Sequence, residues 1–149
     1  MSSVIVPGSP IRGSFQGEFV APFMIQYDAA AGTYNVPLPP GAMVTDIYWF
    51  VSEAFTTSGS NASLTIGDAD AVDNYADATD TALQTLDTVA AKASGAGQTK
   101  ATGDYYPTGD NIKLVFTPAS AGATAGKIVG GVKFFVVTNG GIPAAAAAS

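Results

Sequence analysis

Residues 43–68 read MVTDIYWFVSEAFTTSGSNASLTIGD and contain the only tryptophan of the chain. The run from Val44 to Val51 is rich in β-branched and aromatic side chains, a composition typical of a buried strand rather than a helix. Residues 56–61 favour a turn, because Gly and Asn tolerate positive φ and Ser and Thr can bond the local backbone. Leu64 and Ile66 then alternate with polar residues, as in a half-buried strand. The stretch therefore predicts a β-hairpin around which the other strands pack.

Side chains alternate between the two faces of a strand, so the first strand of this hairpin can be divided into faces. One face receives Met43, Ile47, Trp49, Val51 and Phe55, and the other receives Val44, Tyr48, Phe50 and Ala54. Both faces are largely apolar, and the last predicted strand, residues 127–138, is also apolar on both sides. One face can pack on an opposite sheet, but the second needs a loop, a terminal segment or another subunit to cover it. The pattern therefore favours an oligomer.

The rest of the chain predicts one all-β domain. Its 149 residues are the size of a single domain, and short apolar runs are separated by turn residues among 17 Gly and 9 Pro. Residues 111–117 alternate as in a strand buried on one face, and Pro22 marks an edge or a break in the first strand region. Gly130 and Gly131 predict a bulge or a close backbone approach. Residues 68–87 are rich in Ala and Asp and predict a short helix or an irregular segment.

The two ends of the chain differ from the middle in composition. Residues 1–16 are rich in Pro and Gly and predict an extended N-terminal arm, which either crosses a neighbouring subunit or is a frayed terminus. Residues 17–140 form the predicted single antiparallel β-sandwich domain. Residues 141–149 include five alanines and predict a flexible tail.

Charge and missing residue types exclude several classes of function. A net charge of -6 with only six scattered Lys and Arg residues argues against nucleic-acid and anionic-membrane partners, which need clustered cations. With no His and no Cys, the usual general base and thiolate nucleophile are absent, so we expect no enzyme and no cofactor. The chain has no secretory signal pattern and no apolar run of about 20 residues, the length of a membrane-spanning helix. We therefore expect a soluble protein.

The densest group of carboxylates lies in residues 68–80. Asp68, Asp70 and Asp73 are the candidate metal ligands, since oxygen-only donors suit Ca²⁺ or Mg²⁺. The spacing departs from the known calcium loop, because Val72 stands where that loop needs an oxygen ligand and Asp73 where it needs Gly. The segment therefore favours a solvated acidic loop, and we expect no bound metal.

Aromatic side chains leave an alternative function open. An exposed platform of Trp49, Tyr105 and Tyr106 could stack on a sugar, which would suit a carbohydrate-binding or tail-associated receptor-binding β-sandwich module. Such residues more often belong to a core or an interface. Burial of Trp49 would count against this alternative.

Five short segments, taken in order, resemble a pattern found in small virion proteins of tailed bacteriophages. They are residues 41–47 (GAMVTDI), 53–56 (EAFT), 64–68 (LTIGD), 108–114 (TGDNIKL) and 125–129 (AGKIV). The resemblance covers residues 40–137 and carries no catalytic signature. It implies a head decoration (cement) protein, or another capsid-associated or tail-associated structural component, and a β-sandwich of the jelly-roll kind.

The residues and the resemblance together predict a non-enzymatic virion structural protein that binds the outside of the capsid as a homotrimer and stabilises it. Its partner would be the major capsid protein, and it would be made in the host cytoplasm. In this prediction the arm adds extended backbone to edges of the capsid protein, and the trimer uses the second apolar face of the long strands. The predicted interface residues are Val6, Ile11, Phe15, Phe19, Tyr48, Phe50 and Phe135.

Overall fold

The computed structural model describes residues 17–57, 59–86, 91–92, 104–121 and 123–137, and of residues 91–92 the backbone only. In chain order the elements are β1 (Phe19–Gln26), β2 (Gly32–Leu38), β3 (Ala42–Glu53), β4 (Ser63–Gly67), α1 (Ala78–Thr81), β5 (Ala91–Lys92), β6 (Tyr105–Tyr106), β7 (Asp110–Thr117) and β8 (Lys127–Val136). The strands form two antiparallel sheets that pack face to face, which confirms the predicted all-β sandwich.

The strand order is that of a jelly roll. In the first sheet β8 lies between β1 and β3, and β5 and β6 both pair with β3; in the second sheet β7 lies between β2 and β4. Strands from the first half of the chain thus pair with strands from the second half: β1 with β8, β2 with β7, and β3 with β5 and β6. This nested pairing is a long antiparallel hairpin wrapped into two sheets, the arrangement of jelly-roll proteins.

Residues 68–86 take the place beside β4 where a further strand would extend the second sheet. Only an isolated bridge between Ile66 and Ala76 connects them to β4 as a strand would. The segment then enters α1, whose N-cap Asp77 accepts hydrogen bonds from the first turn while the Asp80 carboxylate accepts one from the Asp77 N–H. These reciprocal bonds form a capping box. The predicted short helix or irregular segment is therefore confirmed.

The predicted hairpin over residues 43–68 is wrong. β3 and β4 lie in different sheets, so the segment between them, described at residues 54–57 and 59–62, connects the two sheets. β3 has no side left for β4, because β8 pairs along one side and β5 and β6 along the other. β4 pairs instead with β7, where Leu64 lies opposite Phe116. The predicted turn is irregular backbone, as expected, but it connects two sheets rather than two neighbouring strands.

The predicted faces of β3 are wrong at its start. A β-bulge between Val44 and Asp46 shifts the alternation by one residue. Val44 therefore points inward with Trp49 and is 0% exposed, whereas Met43 lies opposite Phe135 on the outer face of the sheet. The hydrophobic pattern does not reveal this shift, because both Met43 and Val44 are apolar.

The core lies between the inner faces of the two sheets. Trp49 is its largest side chain, and the buried set also includes Ile25, Val36, Leu38, Ile47, Val51, Phe55, Leu64, Ile66, Leu83, Ile112, Leu114, Phe116, Ile128, Val132 and Phe134. Each large apolar side chain that is fully buried stabilises the fold by about 1.5–3 kcal/mol. In β7 the buried residues alternate with partly exposed ones, which confirms the predicted strand with one buried face.

Two edge strands and the chain ends define the border of the sandwich. β1 is the outermost strand of the first sheet and contains Pro22, which confirms the predicted edge; β2 is the outermost strand of the second sheet and contains Pro37. Phe19 at the start of β1 lies opposite Phe134 near the end of β8. Gly17 and Val137, the first and last described residues, therefore lie at the same end of the first sheet.

Candidate assembly surface

The outer face of the first sheet carries a continuous set of apolar side chains. The strand register places them in rows: Met24, Val129 and Phe50; Pro22, Gly131 and Tyr48; Val20, Lys133 and Asp46; and Phe135, Met43 and Tyr105. Four of these side chains are strongly exposed: Met24 (56%), Val20 (48%), Tyr105 (48%) and Phe135 (36%). Exposed apolar side chains grouped in this way are typical of a contact surface.

The second sheet has a different outer face. Its outward positions include Thr33 and Asn35 on β2 and Lys113 and Thr117 on β7, which alternate with the inward core residues. This sheet is apolar on one side and polar on the other, as expected for a sheet that faces water. The candidate surface is therefore a property of the first sheet and not of the sandwich in general.

Two neighbouring glycines lie in the middle of this sheet, Gly131 in the outer row of Pro22 and Tyr48, and Gly130 in the inward register opposite Phe23 and Trp49. An added Cβ at Gly131 would lie 2.8 Å from the Tyr48 hydroxyl oxygen and 2.9 Å from a Val20 methyl group. One at Gly130 would lie 2.3 Å from the Tyr48 carbonyl oxygen and 2.5 Å from the Phe23 ring. The predicted close backbone approach at these glycines is confirmed. The surface is hollowed here into an open groove of about 430 Å³, lined by Pro22, Phe23, Met24, Tyr48, Val129 and Gly130.

One ion pair lies between the groove and the exposed row of Phe135. The Lys133 Nζ is 3.9 Å from the Asp46 Oδ2 and 5.5 Å from the centre of the Tyr48 ring, a cation–π distance. The pair is partly exposed, so solvent screens it and its contribution to stability is small. Its consequence is electrostatic: the middle of the face carries no net charge, although the whole chain carries -6.

The predicted interface residues fall into three groups. Tyr48, Phe50 and Phe135 lie on the outer face of the first sheet, in the rows described above. Phe19 lies on the inner side at the end of β1, where its ring stacks on Phe134 at 5.7 Å and remains 46% exposed. The predicted contacts Val6, Ile11 and Phe15 lie outside the described residues. The interface role of all of them stays a prediction.

The sequence alone did not identify the part of the surface contributed by β1. Val20, Pro22 and Met24 occupy alternate positions and all point outward. These three residues alternate with Ala21, Phe23 and Ile25, as expected for a strand. Both sets are apolar, so the sequence does not show which set faces outward. Pairing with β8 resolves the choice, because Ile25 lies opposite the buried Ile128.

The acidic segment does not assemble the three candidate metal ligands. Asp68 is 1% exposed, whereas Asp70 and Asp73 are exposed. The Asp68 Oδ1 accepts hydrogen bonds from the Asp70 N–H (2.9 Å) and the Asn74 side-chain amide (2.8 Å), and its Oδ2 accepts one from the Tyr106 hydroxyl (2.8 Å). Within the described residues no group of three His, Cys, Asp or Glu is placed to hold a metal ion. Asp68 is instead the centre of a buried polar cluster.

Two tyrosines extend this cluster across the sandwich. The hydroxyl oxygens of Tyr75 and Tyr106 are 2.5 Å apart. Tyr106 donates its single proton to Asp68, so we assign Tyr75 as the donor in the short contact; the Tyr75 hydroxyl also lies 3.4 Å from the Asp104 Oδ2. Burial is the main reason that the pKa of Tyr106 is raised well above its ordinary value, and the hydrogen bonds to Tyr75 and Asp68 add to the effect. The cluster joins residues 68–75 to β6 in the other sheet.

The proposed sugar platform is not present. Trp49 is 2% exposed in the core and Tyr106 is 7% exposed in the polar cluster, which leaves Tyr105 alone at the surface. A single exposed ring does not form the stacking surface that the carbohydrate-binding alternative requires.

In the described part of the chain, no helix is long and apolar enough to cross a membrane.

Comparison with known proteins identifies the fold. No protein-family model and no curated protein sequence matches the chain. A chain of the cyanophage Pam1 capsid asymmetric unit is similar in structure, with a TM-score of 0.60 and 18% identity over 87% of this chain and 92% of that chain. A chain of the acidic stable capsid structure of Helicobacter pylori bacteriophage KHP30 is similar with a TM-score of 0.59 and 18% identity, over 83% of this chain and 90% of that one. At this identity the shared property is the fold.

Proposed function

We propose that this protein is a non-enzymatic structural component of a phage virion that decorates the outside of the capsid as a homotrimer and stabilises it. The observation that carries the proposal is the fold match to chains of two phage capsid structures, which extends over nine-tenths of each of those chains. The structural match thus extends over nearly the whole of each domain, and not only over a few strands that many β-sandwiches share. The sequence segments that resemble phage virion proteins support the same function independently.

The apolar outer face of the first sheet supports self-association. Met24, Phe135 and Tyr105 are exposed there, and copies of an acidic protein can approach at this face because the Lys133–Asp46 pair leaves its middle without net charge. Burial of the exposed side chains would stabilise the contact by roughly 25 cal/mol per Å² of apolar surface removed from water. In this proposal Tyr48, Phe50 and Phe135 contribute to the trimer contact.

The N-terminal arm is proposed to bind the major capsid protein. In this proposal the exposed ring of Phe19 anchors the base of the arm. An extended segment of this length spans about 50 Å, enough to pass from one capsid subunit to the next. Addition of extended backbone to an exposed sheet edge is a recurrent mode of recognition and needs no catalytic group.

Location of the protein in the virion tests this function. We expect the phage that encodes the chain to contain it in many copies, and a cryo-EM map to show the sandwich on the outer capsid surface after its synthesis in the host cytoplasm. Capsids that lack the protein should release DNA at a lower temperature and recover when purified protein is added. Absence from purified virions, or a position outside the capsid shell, would contradict the proposal.

Two measurements on the purified protein test the finer parts. Native mass measurement at micromolar concentration should show three copies, and a stable monomer would contradict the trimer. Deletion of residues 1–16 should leave the circular dichroism spectrum unchanged and abolish binding to undecorated capsids. Unchanged binding to the capsids would contradict the proposed role of the arm.

A further inference from the structure

We infer that copies of this protein associate by placing an exposed ridge on the first sheet of one copy into the groove of the next copy. The ridge is the outward row of Phe135, Met43 and Tyr105. The groove is the open hollow of about 430 Å³ lined by Pro22, Phe23, Met24, Tyr48, Val129 and Gly130. The inference rests on the proposed function, in which this face mediates self-association, and it names the two parts of the face that touch.

The ridge and the groove have complementary chemistry. Tyr105 is 48% exposed and Phe135 is 36% exposed, and they lie in one row of the sheet. Aromatic side chains are enriched at protein–protein contacts, where they fill pockets on the partner. The groove volume lies within the range of about 300–1,000 Å³ typical of sites that hold a small molecule, so it has room for an aromatic ring. Its lining is mainly apolar, and a ring that enters it leaves water.

The ridge cannot enter the groove of its own molecule. Phe135 and Val129 are six residues apart along β8, or roughly 20 Å at about 3.3 Å per residue. β8 pairs with β1 and β3 over this whole length, so the sheet holds the two parts at this separation. The ring that occupies the groove therefore comes from another copy.

The charge on this face favours a second copy over a basic partner. The strand register places Lys133 opposite Asp46 and Lys127 opposite Glu53, so these rows carry equal numbers of cations and anions. The acidic segment at residues 68–80 lies elsewhere, beside β4 of the second sheet, and a basic partner would be attracted there. Copies that each carry a net charge of -6 repel each other least where the face is neutral.

Contact between two unlike parts determines how copies assemble. Ridge against ridge would leave the groove of each copy open to water, whereas ridge in groove covers both apolar parts. Each contact leaves one ridge and one groove unused, so the contact can repeat from copy to copy and close into a ring. In a homotrimer each copy gives its ridge to one neighbour and its groove to the other.

Disulfide trapping tests the inference, because the chain contains no cysteine and an introduced pair is the only one. The full chain carries Tyr105→Cys in the ridge and Met24→Cys in the groove, two exposed positions whose replacement leaves the core intact. Within one molecule their rows are roughly 20 Å apart, beyond the distance of about 7 Å between Cα atoms that a disulfide can span. Under mild oxidation this variant should therefore link different chains.

Two control variants accompany this pair. The first combines Tyr105→Cys with Asn35→Cys, an exposed position on the outer face of the second sheet. We expect the ridge–groove pair to form links at least about tenfold faster than this control, because association holds its thiols at a high effective concentration. The second control adds Phe135→Ala to the ridge–groove pair. It should remove most of the difference, because it deletes the ring that enters the groove.

Three outcomes would overturn the inference. Equal rates for the ridge–groove pair and the Asn35→Cys control would show that the groove does not hold the ridge. Linkage of chains with Tyr105→Cys alone, at the rate of the ridge–groove pair, would show ridge against ridge. An unchanged rate after Phe135→Ala would exclude the ring as the anchor of the contact.

The size of the linked product separates the inference from the proposed trimer. Closed rings of three chains would agree with both. Pairs of chains joined by two disulfides would keep the ridge–groove contact and contradict the homotrimer. A homotrimer by native mass measurement without ridge–groove links would contradict the inference alone.

Discussion

Replacement of Tyr106 by Phe removes one oxygen atom from the buried polar cluster and should lower stability measurably. The hydroxyl donates to the Asp68 carboxylate at 2.8 Å and accepts from Tyr75 at 2.5 Å. A hydrogen bond to a charged group contributes about 1.5–3 kcal/mol, and a buried partner left without it adds to the cost. Asp68 keeps the bonds from Asp70 and Asn74, so the carboxylate stays partly satisfied. We expect a loss of about 2–3 kcal/mol.

Urea and thermal unfolding measure this loss. For a domain of this size it corresponds to a decrease in Tm of roughly 4–12 °C. Tyr105→Phe is the matched control, because it removes the same atom from the neighbouring residue, which is 48% exposed. The control should change stability by less than about 0.5 kcal/mol. If the two variants unfold alike, the cluster does not stabilise the sandwich and the reasoning is refuted.

The pH dependence of the same variant gives an independent check. The raised pKa of Tyr106 means that the folded protein keeps the phenol proton at a pH where the unfolded chain releases it. Stability from this group is therefore complete below about pH 10 and declines as the pH rises further, by up to about 1.4 kcal/mol per pH unit. The difference in unfolding free energy between parent and Tyr106→Phe should shrink above pH 10. A constant difference from pH 8 to pH 11 would contradict the assigned cause.

Two further substitutions test the close backbone approach at Gly130 and the short helix. Gly130→Ala places a Cβ 2.3 Å from a backbone oxygen and should lower the free energy of unfolding in urea by about 1–3 kcal/mol. Gly17→Ala is the control and should be neutral, because no atom lies within 4 Å of the added Cβ. Equal stability of the two variants would refute the close approach at Gly130. Asp77→Ala should cost about 0.5–2 kcal/mol, against no change for exposed Asp73→Ala. Since hydrogen bonds from the Thr79 hydroxyl and the first-turn N–H groups lower the pKa of Asp77, its contribution is present above about pH 4 and lost on acidification. A pH-independent difference from pH 7 to pH 3 would contradict that role.

The local sequence predicted a feature correctly where a single physical property of the residues decides it. Residues 111–117 alternate cleanly and form β7, and Pro22 lies in an edge strand because an interior strand would need its missing N–H. Gly130 and Gly131 mark a close approach, because any Cβ there would collide with Tyr48. In each case the residues themselves contain the physical reason.

Other features depend on contacts that local sequence does not contain. β4 pairs with β7 and not with β3, because the partner of a strand is chosen among all strands of the chain. The β-bulge after Val44 exchanges the faces predicted for Met43 and Val44, and the sequence does not show this because both residues are apolar. The contact between Asp68 and Tyr106 joins residues 38 positions apart, and no spacing rule connects them. The trimer and the capsid contact of the arm stay predictions for the same reason, since they depend on surfaces of other molecules.

The described edges of the two sheets are poorly suited to pairing with strands of another molecule. β1 and β2 are open along one side, and each has a proline within it, at Pro22 and Pro37. On the other sides the described residues offer only short edges: β4 has five residues and the bridge to Ala76 beside it, and β5 and β6 have two residues each. Prolines and short edge strands interrupt the row of N–H donors and so disfavour strand pairing between molecules. If copies of this protein do associate, the outer face of the first sheet therefore offers a larger continuous contact than any described strand edge.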